Sequence, residues 1–126
     1  MIKVSPSLMC AKFTQLEEYI QLLDQAEVDF FHIDVMDGTF APNFVFGTDD
    51  IRTIRELTNR PLDFHLMVDD PAYKLDWFEI RKGDRVAVHL EAQENTQLSL
   101  NKLREFEAEV FLAIEVDTQI NKLEPY

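Results

Sequence analysis

Residue types able to do chemistry fall together on one run, Phe30-Phe31-His32-Ile33-Asp34-Val35-Met36-Asp37-Gly38. Phe30 to Met36 reads as an apolar strand, and Asp37-Gly38 reads as the turn that ends it. Period-two alternation places His32, Asp34 and Met36 on one face of the pleat. An imidazole and a carboxylate on a buried face each need a partner, because an unpaired charge inside a core is too costly to keep. Two arrangements satisfy both groups. One is a salt-bridged histidine inside a core. The other is a divalent cation held by neutral imidazole and carboxylate. The strand alone leaves both open.

The elements that must position these residues alternate along the chain. Strand candidates are Ile2–Met9, Phe30–Met36, Leu62–Val68, Arg85–Leu90 and Val110–Glu115. Their starts recur at about the length of one strand-helix unit. Between them, Phe13, Leu16, Ile20 and Leu23 line one helical face by their spacing. Thr48 is the expected N-cap before Asp49, Asp50 and Ile51. Asp70-Pro71 reads as a helix start, with a capping carboxylate and a proline at the first helical position. Asn95 is the expected cap of a stretch carrying Leu98, Leu103 and Phe106. This alternation predicts an α/β fold with a parallel sheet. Ser5 and Ser7 fall on the first strand candidate, His32 and Asp34 on the second, His65 on the third and His89 on the fourth. In parallel α/β folds the active-site residues gather at the C-terminal strand ends. Histidines on neighbouring strands, with a carboxylate, therefore favour a site over a structural role.

Composition limits the partners. With 24 acidic against 12 basic residues and a net charge of −12, the chain lacks the basic footprint that nucleic acid or an anionic membrane surface requires. A small anionic substrate stays compatible, since a local site can be positive on an acidic protein. A single cysteine, Cys10, cannot form an internal disulfide. It is expected to be a buried structural thiol in a reducing compartment. The opening Met-Ile-Lys-Val-Ser-Pro-Ser has no apolar signal-like core, and no run reaches the length of a membrane span. The cytoplasm is the expected location. Trp77 and the ten phenylalanines are expected in the core, and Asp37 is expected to shape the turn before Gly38.

Four motifs then stand in order: Ser5-Pro6-Ser7-Leu8-Met9; HIDVMDG at 32–38, followed by Pro42-Asn43 and Phe46-Gly47; PLDFHLMV at 61–68, followed by Pro71; and VHLEA at 88–92. Together they resemble the ribulose-phosphate 3-epimerase family, whose close relatives act on allulose 6-phosphate. VHLEA leans toward the pentulose-phosphate branch. The resemblance implies a TIM (β/α)8 barrel and a metal-dependent epimerase that inverts C3 of a ketose phosphate, D-ribulose 5-phosphate to D-xylulose 5-phosphate. It implies His32, Asp34 and His65 as ligands of a divalent metal (zinc, iron(II), manganese or cobalt). Asp34 would also be one of two carboxylates that move the C3 proton. Ser7 and His65 would touch the phosphorylated sugar, and Met36 and Met67 would pack beside the enediolate. Met36 and Met67 also suit plain core packing, and Ser7 also suits a backbone hydrogen bond. His89 is expected to be a packed strand histidine rather than a ligand.

The chain also departs from that pattern. A (β/α)8 barrel needs roughly 200 or more residues, and this chain has 126. Residues 1–126 are thus expected to form one partial barrel domain of about five strand-helix units, lacking the last three strands. By resemblance those strands carry the second catalytic aspartate and the glycine-rich loops that grip phosphate. On the fifth strand Phe111 stands where the family has a small glycine, and Glu115-Val116-Asp117 replaces its turn. Asp117 is read as part of this fifth unit rather than as the missing carboxylate. Arg81-Lys82-Gly83-Asp84 stands where a small turn is typical. Uncovered strand edges seek partners, so oligomerisation or pairing with a complementing C-terminal segment is expected. The alternative to a truncated epimerase, inactive alone, is a non-catalytic module that binds a metal or a partner through the retained half-site.

Overall fold

The computed structural model describes residues 2–126. One sheet holds β1 (Phe31–Asp37), β2 (Phe44–Val45), β3 (Leu62–Met67), β4 (Arg85–His89) and β5 (Glu109–Ala113), in the order β2-β1-β3-β4-β5. The pairings β1–β3, β3–β4 and β4–β5 are parallel, and the two-residue β2 pairs antiparallel with the end of β1. The helices are α1 (Leu16–Gln25), α2 (Thr48–Leu57) and α3 (Thr96–Glu105). The fold is the α/β class that the strand-helix alternation predicts.

Period-two burial divides the sheet into two faces. Phe31, Ile33 and Val35 of β1, with Leu62, Phe64 and Leu66 of β3, are buried among Ile20, Ile51, Ile54 and Leu103 of the helices. The alternate positions, among them His32, Asp34, His65 and Met67, are only half-buried on the opposite face. Leu16 and Ile20 bury the expected stripe of α1, and Glu17 and Glu18 in its first turn suit the positive end of the helix dipole. Asn95 caps α3 as expected, its Oδ1 accepting from the Leu98 amide at 3.1 Å. The inward positions of α3 are Leu100 and Leu103, while Leu98 is exposed.

Several expectations are corrected. The segment Ile2–Met9 runs along β1 without becoming a regular strand. Val4 O accepts from the Asp29 and Phe30 amides, Pro6 O accepts from the His32 amide at 2.9 Å, and Ser7 makes a single bridge to His32. Pro6 has no N–H to continue the ladder, and the chain turns into a 3-10 helix at Leu8–Cys10. That turn buries Leu8 and leaves Cys10 exposed, so the thiol is not a core group. Phe13 is exposed in its own 3-10 turn, Phe13–Gln15, ahead of α1. The N-cap of α2 is Gly47 rather than Thr48, and the Gly47 amide donates to Asp50 Oδ2 at 2.8 Å. Asp70-Pro71 opens two 3-10 turns, Pro71–Tyr73 and Leu75–Trp77, instead of an α-helix. Asp70 is left-handed at φ 50° and makes no side-chain cap. The buried residues Ala72, Leu75 and Phe78 recur every third position, which is the 3-10 repeat. Trp77 lies off that repeat and is 56% exposed, and Phe44 is 81% exposed, so neither is core.

One buried ion pair anchors the start of β3. Asp84, 1% exposed, accepts from the Arg55 guanidinium, from the Leu62 amide at 2.8 Å and from the Arg81 amide at 2.7 Å. The unusual Arg81-Lys82-Gly83-Asp84 turn thus ties α2 to the first residue of β3. Removing one partner of such a pair strands a buried charge. Asp84→Ala is expected to destabilise the chain by about 3–5 kcal/mol, read as a lowered urea midpoint. An unchanged midpoint would remove Asp84 from the account.

Candidate functional site

The in-register pairing of β1 with β3 sets His32 beside Asp63, Asp34 beside His65 and Met36 beside Met67. All six lie on the half-buried face. Asp34 Oδ1 lies 3.2 Å from His32 Nε2 and 3.4 Å from His65 Nδ1. Asp34 Oδ2 accepts from Ser7 Oγ at 2.9 Å. Ser7 is therefore in the site, although it caps the Leu8–Cys10 turn rather than continuing a strand. Its Oγ also accepts from the Met9 amide at 3.3 Å, so the backbone contact and the site contact coexist. The remaining ring nitrogens are engaged elsewhere. His32 Nδ1 lies 3.1 Å from Asp63 Oδ2, and His65 Nε2 lies 2.8 Å from His89 Nε2.

His89 matches its expected role as a packed strand histidine. It is buried, stacks on His65 with centroids 5.0 Å apart, and meets the Phe40 ring at 4.9 Å. Its Nδ1 is buried without a hydrogen-bond partner, 3.6 Å from Glu91 Oε2. Asp37 shapes the turn as expected. Its Oδ1 accepts from the Thr39 and Phe40 amides, and its Oδ2 from the Asp69 amide and Lys74 Nζ, each of the latter at 2.9 Å. Gly38 sits at φ +77°, a backbone conformation that strains any L side chain, with the exposed Phe44 ring over the place a Cβ would take. Asp63 was missed. The available signal was its position two residues before His65, which puts both on one strand face.

His32, Asp34 and His65 each offer one ligand atom, all within 4.8 Å of one another, and could hold a metal ion. Each imidazole has its far nitrogen occupied by another group, which leaves the near nitrogen facing Asp34. Two imidazoles and a carboxylate suit zinc and other first-row divalent ions. Asp117 stands outside the cluster, on a cleft of about 440 Å³ beside it that Phe40, Met67, His89 and Glu115 also line. A second cleft, of about 460 Å³, is lined by Asp69, Asp70, Glu91 and Glu94. It holds no imidazole, whereas His65 and His89 line the first.

The electrostatics follow from these contacts. Hydrogen bonds to Asp34 and then Asp63 raise the His32 pKa from 6.5 to about 9, against the opposing effect of burial. His32 and then His65 hold the Asp34 carboxyl far below its ordinary range. Burial pushes Asp63 up, but its bonds from His32 and Ser5 outweigh this and lower it. Burial, and then the neighbouring His65, push His89 down. No helix among the described residues is long and apolar enough to cross a membrane.

Comparisons with known proteins point to one family. Residues 3–126 match the model of the ribulose-phosphate 3 epimerase family. The chain is 34% identical, over 98% of its length, to the chloroplastic ribulose-5-phosphate-3-epimerase of Arabidopsis thaliana, covering 44% of that protein. It is 35% identical over 98% of its length to the ribulose-phosphate 3-epimerase of Synechocystis, covering 54%. It is 37% identical over 97% of its length to that of Chlamydia pneumoniae, covering 53%. The chain thus spans about half the length of the curated relatives it matches. With this match the parallel sheet is a partial (β/α) barrel.

The site makes the metal-free chain pH-sensitive on both sides. The raised His32 pKa contributes stability that is complete below 6.5 and is lost as pH rises through about 9. The depressed Asp34 pKa contributes stability that is complete above 3.8 and is lost as pH falls. Both contributions are full between 3.8 and 6.5. The urea midpoint is expected to fall from pH 6.5 to 9, and His32→Gln is expected to flatten that limb. A His32 imidazole that titrates near 6.5 by NMR would contradict this.

Proposed function

We propose, because the chain belongs to the ribulose-phosphate 3-epimerase family, that it is the N-terminal part of a metal-dependent enzyme that inverts C3 of a ketose phosphate. The substrate assigned is D-ribulose 5-phosphate and the product D-xylulose 5-phosphate. The observation that carries this reading is the His32–Asp34–His65 cluster, gathered on one half-buried face of two neighbouring parallel strands. A divalent cation bound there supplies Lewis acidity that stabilises the oxygens of an enediolate. Zinc, iron(II), manganese and cobalt all suit the donor set.

The chain's own residues do the rest. Asp34 takes or returns the C3 proton on one face of the sugar, as a carboxylate held in place by Ser7 and the two imidazoles. Ser7 holds the Asp34 carboxylate through Oδ2, leaving Oδ1 toward the imidazoles. Ser7 and His65 then touch the phosphorylated sugar. Met36 and Met67, paired across β1 and β3, give the reacting carbons an apolar neighbour that excludes water. Inversion also needs an acid on the opposite face. We assign that second carboxylate, the last three strands and the phosphate-binding loops to the additional length that the relatives carry. Exposed Phe111 on β5, with Val116 and Ile120 just beyond it, supports a covering partner, either a complementing C-terminal segment or a second copy. A lone, exposed cysteine and an acidic surface suit the cytoplasm.

The departures on β5, Phe111 and Glu115-Val116-Asp117, favour a second reading: a non-catalytic relative that keeps the half-site to bind a metal or partner. One set of measurements separates the two. The chain loaded with zinc or manganese is expected to retain one ion, and Asp34→Asn is expected to lose it. Alone it is expected to give no epimerisation of ribulose 5-phosphate. Mixed with a polypeptide that supplies the later strands, it is expected to gain turnover. Turnover by the chain alone would overturn the half-site assignment, and a complemented but inactive barrel would favour the second reading.

A further inference from the structure

We propose that Asp63 orients His32 toward the cation, with Ser5 holding the Asp63 carboxylate in place. This rests on the reading of His32, Asp34 and His65 as a cation site. Asp63 is not in the ligand cluster. It is the register partner of His32 on the neighbouring strand, and its Oδ2 reaches His32 Nδ1 at 3.1 Å. A carboxylate in that position accepts a hydrogen bond from Nδ1–H and so would present Nε2 to a cation, on the side where Asp34 Oδ1 lies 3.2 Å away. Ser5 Oγ donates to the same Asp63 oxygen at 2.8 Å. The nearest cation on that row does not compete for this oxygen. Arg85 donates from Nε to Glu109 Oε2 at 2.7 Å and lies over the Phe30 ring at 4.0 Å. Asp63 is thus committed to His32, and the N-terminal segment, through Ser5, becomes part of the metal centre's support.

Asp63 is a positioning residue, so its test reads the metal and the ring rather than turnover. Cobalt(II) binding by the chain, followed by its visible absorption and by competition with a chromophoric chelator, is compared among variants. Asp63→Ala is expected to weaken binding by roughly 10- to 100-fold. Asp63→Asn, which keeps one acceptor oxygen, is expected to recover part of that loss, and Ser5→Ala to lose less than Asp63→Ala. Far-UV circular dichroism checks that each variant is folded. Nitrogen-15 shifts of His32 in the zinc-loaded, unsubstituted chain are expected to show Nδ1 protonated and Nε2 coordinating. That measurement decides the case even where a variant fails to fold. Nδ1 as the coordinating nitrogen, or folded Asp63→Ala binding cobalt as tightly as the parent, would overturn the role of Asp63 while leaving the cation site intact. Failure of the parent chain to bind cobalt or zinc would overturn both.

Discussion

The in-register parallel pairing of β1 with β3 sets every other feature of the site. It brings Asp34 opposite His65 and His32 opposite Asp63. A slip of one residue would turn one strand's polar set out among the helices and its apolar set into the cleft. Burial makes that slip expensive, because Phe31, Ile33, Leu62, Phe64 and Leu66 are fully buried on the opposite face. Carboxylates then pin β3 at both ends. Asp84 accepts from the Leu62 amide where the strand begins, and Asp37 accepts from the Asp69 amide just after it ends. The hydrophobic pattern chooses the face, and these two side chains fix where along it His65 falls.

The polar face keeps its charge because each charge has a partner. His32 sits between two carboxylates, and Asp34 between two imidazoles and a hydroxyl. In the metal-free chain this network holds a proton on His32. A cation bound by the same atoms would take the place of that proton. On the function proposed above, salt-bridged histidine and metal ligand would be two states of one constellation.

Much of this was legible in the sequence, for physical reasons. Long strands with strict alternation, Phe31–Asp37 and Leu62–Met67, announced themselves by pattern. So did the cap at Asn95 and the turn at Asp37-Gly38. The failures share a cause, which is that tertiary contacts chose among local options. Pro6 interrupts the ladder that Ile2–Met9 would otherwise make. Ala72, Leu75 and Phe78 impose a repeat of three where Asp70-Pro71 suggested an α-helix. Asp63 shares the strand face of His65 by period two, but its partner His32 is set opposite it only by the β1–β3 register. The burial of Cys10 and Trp77 was inferred from residue type, and both lie on the exposed side of short turns.

On the function proposed above, a half-site of two imidazoles and one carboxylate would hold a single divalent ion through His32, Asp34 and His65. X-ray absorption spectroscopy of the zinc-loaded chain tests it most directly. A shell of nitrogen and oxygen with outer scattering from two imidazole rings is expected, reduced to one ring by His65→Ala. A spectrum with no imidazole scattering, or one unchanged by that substitution, would contradict it.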